Sequence, residues 1–185
     1  MADFEQVVGD NPAEVFDLIN ERDEVIGRIT RGEAHANPRL LHRSVQVLVF
    51  DSAGRVLLQR RSGHKDLFPG YYCASASGHV AAGDDYLATA RRELLEELGI
   101  DVPLRYVGKE VVSSAYETEM TALFVARSDG PFRFHPTETD GGDFFSWAAA
   151  MAALSAGSLP MTPALKAALD AVDRAERPER PEALR

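Results

Sequence analysis

The sequence predicts an α/β sandwich, in which helices pack on the faces of a mixed β-sheet. The prediction rests on the element order, which is strands, one central helix, further strands and two final helices, and on the absence of internal repeats or a linker. The composition, 45% hydrophobic and 26% charged over 185 residues, is typical of one soluble domain. We expect a flexible start over residues 1–12, one domain over 13–175 and a disordered tail over 176–185.

The first half of the chain predicts strands and one short helix. Val15–Ile19 and Val25–Ile29 flank a polar turn and predict a hairpin. Thr30 with Glu33 three residues later indicates the capping box of a short helix. The apolar runs Val45–Phe50 and Val56–Arg60 flank a Gly-containing turn and predict a strand pair, and a further strand is predicted at Tyr71–Ser77.

The central helix is predicted over Asp84–Leu98. Its buried stripe follows from helical spacing and comprises Leu87, Ala90, Leu94 and Leu98. Asp84 and Asp85 suit the N-cap and first turn, and Gly99 is typical of a helix end. After it we expect strands at Leu104–Val107, Val111–Ser113, Met120–Ala126, Phe132–Phe134 and Phe144–Trp147, a turn at Asp140–Asp143, and helices at Trp147–Ala156 and Thr162–Ala175.

Charge and cysteine content limit the partners and the compartment. A net charge of -9 repels the phosphates of nucleic acids and anionic membranes, so neither is an expected partner. The only cysteine is Cys73, which excludes an intrachain disulfide and suits a reducing compartment. No run of residues has the features of a signal peptide or a membrane span, so we expect a cytoplasmic protein.

Three glutamates on the central helix are the strongest chemical signal. Glu93, Glu96 and Glu97 lie three and four residues apart, which places them on one helix face. Judged alone, such a cluster usually marks a solvated surface. It also suits Mg²⁺, which prefers a few carboxylates together with waters and substrate phosphate oxygens.

The residues around these glutamates favour the metal. Gly78, Asp84, Arg92-Glu93-Leu94, Glu96-Glu97 and Gly99-Ile100 stand at the spacing of a known motif. The segment resembles the Nudix box, G-x5-E-x7-R-E-U-x-E-E-x-G-U with U aliphatic. Asp84 is the one departure, since glutamate is usual there.

The resemblance implies a Nudix-type α/β/α sandwich with a mixed β-sheet and a Mg²⁺ or Mn²⁺ cofactor. It implies that Glu93 and Glu97 are the principal metal ligands, that Glu96 is an additional ligand, and that the carbonyl of Ser77 is another. Arg92 would orient the glutamates by ion pairs. The reaction would be hydrolysis of a small-molecule diphosphate. The general base is left open among Glu96, Glu97, Glu117, Glu119 and Glu138.

A second resemblance is carried by segments outside the box, Asp17–Glu21 with Val25–Gly27 and Gln59–Ser62 with Lys65–Gly70. It is a resemblance to type I isopentenyl-diphosphate isomerase. It implies that Arg60, Arg61 and Lys65 hold the substrate diphosphate, although basic residues on an edge strand are as often solvated. It also implies a second Mn²⁺ or Zn²⁺ site, formed by His35, His42, His79, Glu117 and Glu119. Each of these histidines, taken alone, is more often a surface or packing residue.

One departure from that isomerase concerns the mechanism. Ser77 stands where the isomerase has its catalytic cysteine, directly before Gly78-His79. Cys73 lies four residues earlier, about 13 Å away on an extended strand, and is expected to be a small buried residue. Because all three box glutamates are retained, the sequence favours hydrolysis over isomerisation.

The substrate is left open among nucleoside di- and triphosphates, nucleotide sugars and dinucleoside polyphosphates. Aromatic candidates for base stacking are Phe68, Tyr71, Tyr72, Tyr116 and Trp147, for most of which core packing is the commoner role. Two other functions are retained as alternatives: an isomerase-like enzyme, and a non-catalytic module that binds a nucleotide. A homodimer is compatible with all of these functions.

Overall fold

A mixed sheet lies between helices in the structure, which is a computed structural model describing residues 11–65 and 67–176. The α/β prediction is thereby confirmed. The elements are β1 (Val15–Ile19), β2 (Val25–Thr30), α1 (Arg31–Ala36), β3 (Leu41–Phe50), β4 (Arg55–Arg61), β5 (Tyr72–Cys73), β6 (Ala76–His79), α2 (Tyr86–Leu98), β7 (Arg105–Ser113), β8 (Thr118–Arg127), β9 (Thr139–Ser146), α3 (Trp147–Ala156) and α4 (Pro163–Glu176).

The main sheet within these described ranges has seven strands. Its path runs β5-β4-β3-β8-β7, with β6 paired to β3 and β9 paired to β4. The β3–β8 pair is parallel, and the other pairs are antiparallel. A hairpin of β1 and β2 forms a separate small sheet. No helix in the described part of the chain is long and apolar enough to cross a membrane.

Two apolar layers cover the two faces of the main sheet. Alternate residues of β3 point to opposite faces, so Val45 and Val47 contact one layer and Leu48 the other. The first layer includes Leu94 and Leu98 of α2. The second includes Leu165 and Leu169 of α4, together with residues of α3. This arrangement leaves the C-terminal end of α2 beside the centre of the sheet.

The start of the chain follows the predicted pattern closely. The hairpin forms, and the Thr30–Glu33 capping box begins α1. The predicted flexible start and disordered tail fall mostly outside the described residues. Asn11 and Pro12 belong to a turn before β1, and Glu176 is the last residue of α4 rather than the first residue of a tail.

The predicted strand Tyr71–Ser77 was wrong as a single element. The segment forms β5 against β4 and β6 against β3, because β3 and β4 diverge beyond their shared hairpin turn. Ser75 lies between the two short strands and replaces the lost ladder bonds. Its hydroxyl accepts a hydrogen bond from the N–H of Val49 at 2.7 Å and donates one to the carbonyl of Leu57 at 2.5 Å.

Two predictions after the central helix were also wrong. Phe132–Phe134 is not a strand; the N–H of Arg133 binds the carbonyl of Leu98 at 2.9 Å, so the segment caps the end of α2. The Gly-rich segment predicted as a turn lies inside β9. There Gly142 pairs with Gln59, and a Cβ on Gly142 would come within 3.0 Å of the carbonyl oxygen of Leu58.

Smaller differences concern the central helix and the strand that follows it. The N-cap of α2 is Asp85, which accepts from the N–H of Ala88 at 2.8 Å, so Asp84 lies outside the helix. Leu87 is 40% exposed and does not belong to the buried stripe, whereas Ala90, Leu94 and Leu98 do. The two strands predicted between residues 104 and 113 form one strand, β7, with a bulge between Tyr106 and Gly108.

Candidate metal and substrate site

A cavity of about 520 Å³ lies where β3 and β4 diverge. β3 contributes Gln46, β4 contributes Gln59, and β6 contributes Ser77 to its wall. The end of α2 adds the three glutamates of the sequence motif, and β8 with the turn before it adds Glu117 and Glu119. The topology thus brings both predicted groups of metal-binding side chains to one cavity.

Glu97 is the most deeply buried of the three helix glutamates, with 8% of its surface exposed. One carboxylate oxygen accepts the N–H of Ser77 at 3.0 Å, and the other accepts the Nε2–H of Gln59 at 2.7 Å. Burial and the charge of Glu93 raise the pKa of Glu97 well above its ordinary value, although the Ser77 hydrogen bond lowers it. This glutamate is therefore anchored to the strands and does not lie on a solvated helix face.

Glu93 and Glu96 line the same cavity one turn apart on α2. Arg92 lies 2.8 Å from a Glu93 oxygen and 3.0 Å from a Glu96 oxygen, so its guanidinium bridges the two carboxylates. Burial raises the pKa of Glu93 to about 7, although Arg92 lowers it. Asp84, the residue that departs from the box pattern, is exposed and is absent from the cavity wall.

A second group of ligand-type side chains is formed by His42, His79, Glu117 and Glu119. One potential ligand atom of each lies within 4.8 Å of the others. His79 Nε2 is 3.5 Å from Glu117 and 3.3 Å from Glu119. His35, also predicted for this group, has its Nε2 3.3 Å from Glu117. All five predicted residues are therefore close together.

Several buried ligand-type atoms of this group lie close together and have no hydrogen-bond partner among the described residues. Nε2 of His35, His42 and His79 and Oε2 of Glu117 are all buried and have no hydrogen-bond partner among the described residues. The Nδ1–H of His42 donates to the carbonyl of Leu40 at 3.0 Å, which leaves Nε2 with a free lone pair. The ligand-type atoms of His42, His79, Glu117 and Glu119 converge closely enough to fit one bound cation, with His35 beside Glu117.

Burial and the neighbouring charged groups determine the protonation of His42 and His79. Burial lowers the pKa of His42, and the neighbouring His79 lowers it further, so the ring stays neutral. Burial also disfavours a charged His79, but Glu117 and Glu119 outweigh it and raise its pKa to about 9. Without a cation, the proton on His79 provides the positive charge that the two carboxylates require.

The three predicted diphosphate-binding residues are not all brought together. Arg61 and Lys65 line the cavity, whereas Arg60 is exposed and lies on the opposite side of β4, because side chains alternate along a strand. Arg61 donates to the carbonyl of Leu67 at 3.0 Å. Lys65 forms an ion pair with Glu138 at 2.8 Å. Two basic side chains therefore line the same cavity as the three helix glutamates.

The sequence left five aromatic residues open as candidates for base stacking, and few of them line the cavity. Phe68 lines it, and the ring of Phe68 contacts Tyr71 and Tyr116. Tyr72 donates a hydrogen bond to Asp143 at 2.8 Å, and the ring of Trp147 contacts Phe50 in the second apolar layer. Of the five predicted aromatics, Phe68 alone lies on the cavity wall of the described structure.

Sequence reasoning missed several buried polar residues of the wall, among them Gln46, Gln59 and His135. A signal was available for the glutamines, because each interrupts an apolar strand run. A polar residue in such a run is either paired or functional. His135 had no comparable signal. Its position depends on the irregular segment after Phe132, where its N–H binds the carbonyl of Glu97 at 3.1 Å.

Comparison with known proteins gives consistent matches. The family model described as NUDIX domain matches residues 40–165. An uncharacterized Nudix hydrolase of Yersinia pestis is 40% identical over 138 residues, which are 72% of this chain and 75% of that protein. The isopentenyl-diphosphate Delta-isomerase of Nocardia farcinica is 42% identical over 92 residues, 50% of this chain and 53% of that enzyme. A crystal structure of a Deinococcus radiodurans protein superposes with a TM-score of 0.74 at 29% identity, covering 89% of this chain and 100% of that one.

Proposed function

The chain belongs to the Nudix family, and from this premise we propose that it is a cation-dependent hydrolase that cleaves the diphosphate linkage of a small molecule. The observation that carries the proposal is the position of the box glutamates. Glu93, Glu96 and Glu97 line one cavity, which is also lined by two basic side chains. The substrate classes considered are nucleoside di- and triphosphates, nucleotide sugars and dinucleoside polyphosphates.

The charges on the helix support a bound Mg²⁺ or Mn²⁺ ion. Burial and neighbouring carboxylates raise the pKa values of Glu93 and Glu97, and a bound cation would favour their charged forms. The hard oxygen ligands suit either ion, and Glu93, Glu96, Glu97 and the Ser77 carbonyl would hold it. A cation there supplies charge neutralisation for the phosphate oxygens and a more acidic water.

The remaining side chains of the cavity have separate tasks in this proposal. Arg61 and Lys65 bind the diphosphate oxygens, and Arg92 keeps Glu93 and Glu96 in place. A general base must take the proton of the attacking water. All five candidates from the sequence line the cavity: Glu96, Glu97, Glu117, Glu119 and Glu138.

We also propose a second cation in the group formed by His35, His42, His79, Glu117 and Glu119. Mixed imidazole and carboxylate ligands suit Mn²⁺ or Zn²⁺. The support is the set of buried, unpartnered Nε2 and carboxylate atoms described above. Occupation of this site would replace the proton that otherwise neutralises the two carboxylates beside His79.

Isomerisation is the weaker alternative, although a related isomerase covers half of the chain. Ser77 has a hydroxyl at the position of the catalytic thiol. Cys73 borders the cavity, but burial raises the pKa of its thiol to about 12. A purely binding module is also weaker, because all three box glutamates are retained and line the cavity.

The test is a panel of diphosphate compounds from the three classes above, incubated with Mg²⁺ or Mn²⁺. Released phosphate, pyrophosphate and nucleoside monophosphate are measured. The proposal expects at least one class to be cleaved at an enzyme-like rate and expects EDTA to abolish cleavage. Binding without cleavage would instead identify a binding module.

A further inference from the structure

Gln46 is a buried residue with unused hydrogen-bonding capacity at the cavity wall. It is 6% exposed, and its Oε1 has no hydrogen-bond partner among the described residues. The residue lines the cavity that also contains the box glutamates. A buried amide oxygen without a partner is costly to the folded state, so its retention needs a reason.

Its position on β3 relates it to both groups of proposed cation ligands. On β3, His42, Ser44 and Gln46 alternate onto the same face, the first of them within the second cation group. Ser44 shares a hydrogen bond with Thr121 at 2.9 Å, so the hydroxyls beside Gln46 satisfy each other. Gln46 pairs across the sheet with Ser77, whose N–H binds Glu97. The Gln46 side chain, with its unpartnered Oε1, thus lies on the strand next to Ser77, whose N–H anchors Glu97.

The chemistry of an amide indicates what it recognises. A glutamine side chain offers both an acceptor and donors, and either end can face the cavity. A nucleobase edge or a sugar hydroxyl satisfies such a group. A hydrocarbon chain leaves it unpaired, and a site built around a hydrogen bond strongly rejects a ligand that lacks one.

We propose that Gln46 is a specificity-determining residue, whose amide hydrogen-bonds a polar group on the organic part of the substrate. The cavity therefore prefers a diphosphate that carries a base or a sugar to one that carries a hydrocarbon chain. This inference rests on the proposed hydrolase function and narrows its substrate class.

The experiment replaces Gln46 with methionine, which has a similar length but no amide. Two constants are measured: kcat/KM for the nucleoside diphosphate or nucleotide sugar that the wild type cleaves fastest, and the inhibition constant of isopentenyl diphosphate against that reaction. For Gln46→Met we expect kcat/KM to fall about 10-fold or more, mainly through KM. The inhibition constant of isopentenyl diphosphate should be unchanged or lower.

Two further variants separate recognition from damage to the fold. Leu48→Met changes the next residue on the same face of β3, within the apolar layer, and should leave both constants near wild type. Gln46→Asn keeps the amide but shortens its reach, so it should give the same selective loss if the methionine variant does not fold. An equal loss toward both ligands, or no loss toward either, would overturn the inference.

Activity of the wild type distinguishes failure of the hydrolase proposal from failure of the proposed role of Gln46. A wild type that cleaves none of the panel contradicts the hydrolase proposal and the inference together. A wild type that cleaves polar diphosphates, with unchanged selectivity in both Gln46 variants, contradicts the inference alone.

Discussion

A Cβ atom added to Gly78 would lie 2.2 Å from Oε1 of Glu93 and 2.3 Å from its Cδ. The backbone of β6 and the carboxylate of α2 are therefore in a contact that only glycine permits. The first glycine of the box and Glu93, fifteen residues apart in the chain, therefore depend on each other for this contact.

The first prediction concerns Gly78→Ala. The clash falls on the far end of a flexible side chain, so the protein should fold while Glu93 moves away from its position. Misplacement of a catalytic group by about 1 Å can lower activity roughly 100-fold. Steady-state kinetics with the best substrate of the panel measure this loss. Gly108→Ala is the control, since a Cβ there meets nothing within 4 Å. Wild-type turnover in Gly78→Ala would show that activity does not depend on the contact between Gly78 and Glu93.

The second prediction concerns the histidine site. His42→Ala should lose about one equivalent of bound Mn²⁺ or Zn²⁺, measured by elemental analysis of protein purified without chelator. His64→Ala removes an exposed histidine that lies outside the group and should leave the metal content unchanged. Because His42 is buried and stacked on Phe16, Glu119→Gln serves as a second variant if the first does not fold. Equal metal content in all proteins would refute the site.

The third prediction uses two adjacent arginines on opposite sides of β4. Arg61→Ala should raise KM for the diphosphate substrate more than it lowers kcat, because the contact is expected in both the ground state and the transition state. Arg60→Ala is the matched control, since Arg60 is exposed outside the cavity. Similar kinetics in the two variants would show that Arg61 does not bind the diphosphate. Arg61 does contact the carbonyl of Leu67, so thermal unfolding should accompany the kinetics.

The fourth prediction is that isopentenyl diphosphate is not isomerised at a useful rate. Isomerisation delivers a proton to one carbon and removes one from another. Ser77 offers a hydroxyl far less acidic than a thiol of reference pKa about 8.5. Incubation with Mg²⁺ or Mn²⁺, followed by NMR, should show no dimethylallyl isomer. Its formation at a rate typical of enzymes would make isomerisation the leading function.

The architecture was predictable because local signals agreed with the global arrangement. Asp85 and Gly99 bound α2 as predicted, apart from the shift of the N-cap from Asp84 to Asp85. Ser146 and Gly157 bound α3 with residues of the same kind. The box predicted which helix carries the carboxylates, and family membership confirms that resemblance. Spacing along one helix is local information, and this part of the site is therefore readable in the sequence.

The errors arose where long-range pairing overrode local pattern. Gly141-Gly142 has the composition of a turn, yet β4 recruits it as a strand that approaches closely enough to exclude a Cβ at Gly142. Phe132–Phe134 alternates like a strand, yet its backbone caps α2. Gln59 anchors Glu97 because β3 and β4 diverge. That divergence depends on residues far apart in the chain, so a short stretch of sequence does not reveal it.

The most direct measurement of the central claim is turnover of Glu97→Gln in the presence of Mg²⁺, compared with the wild type. Burial already favours the uncharged form of this carboxyl, so the neutral amide should leave the fold intact by circular dichroism. We expect kcat to fall by orders of magnitude and EDTA to reduce wild-type activity to the same background. A folded Glu97→Gln protein that hydrolyses the substrate at the wild-type rate would contradict it.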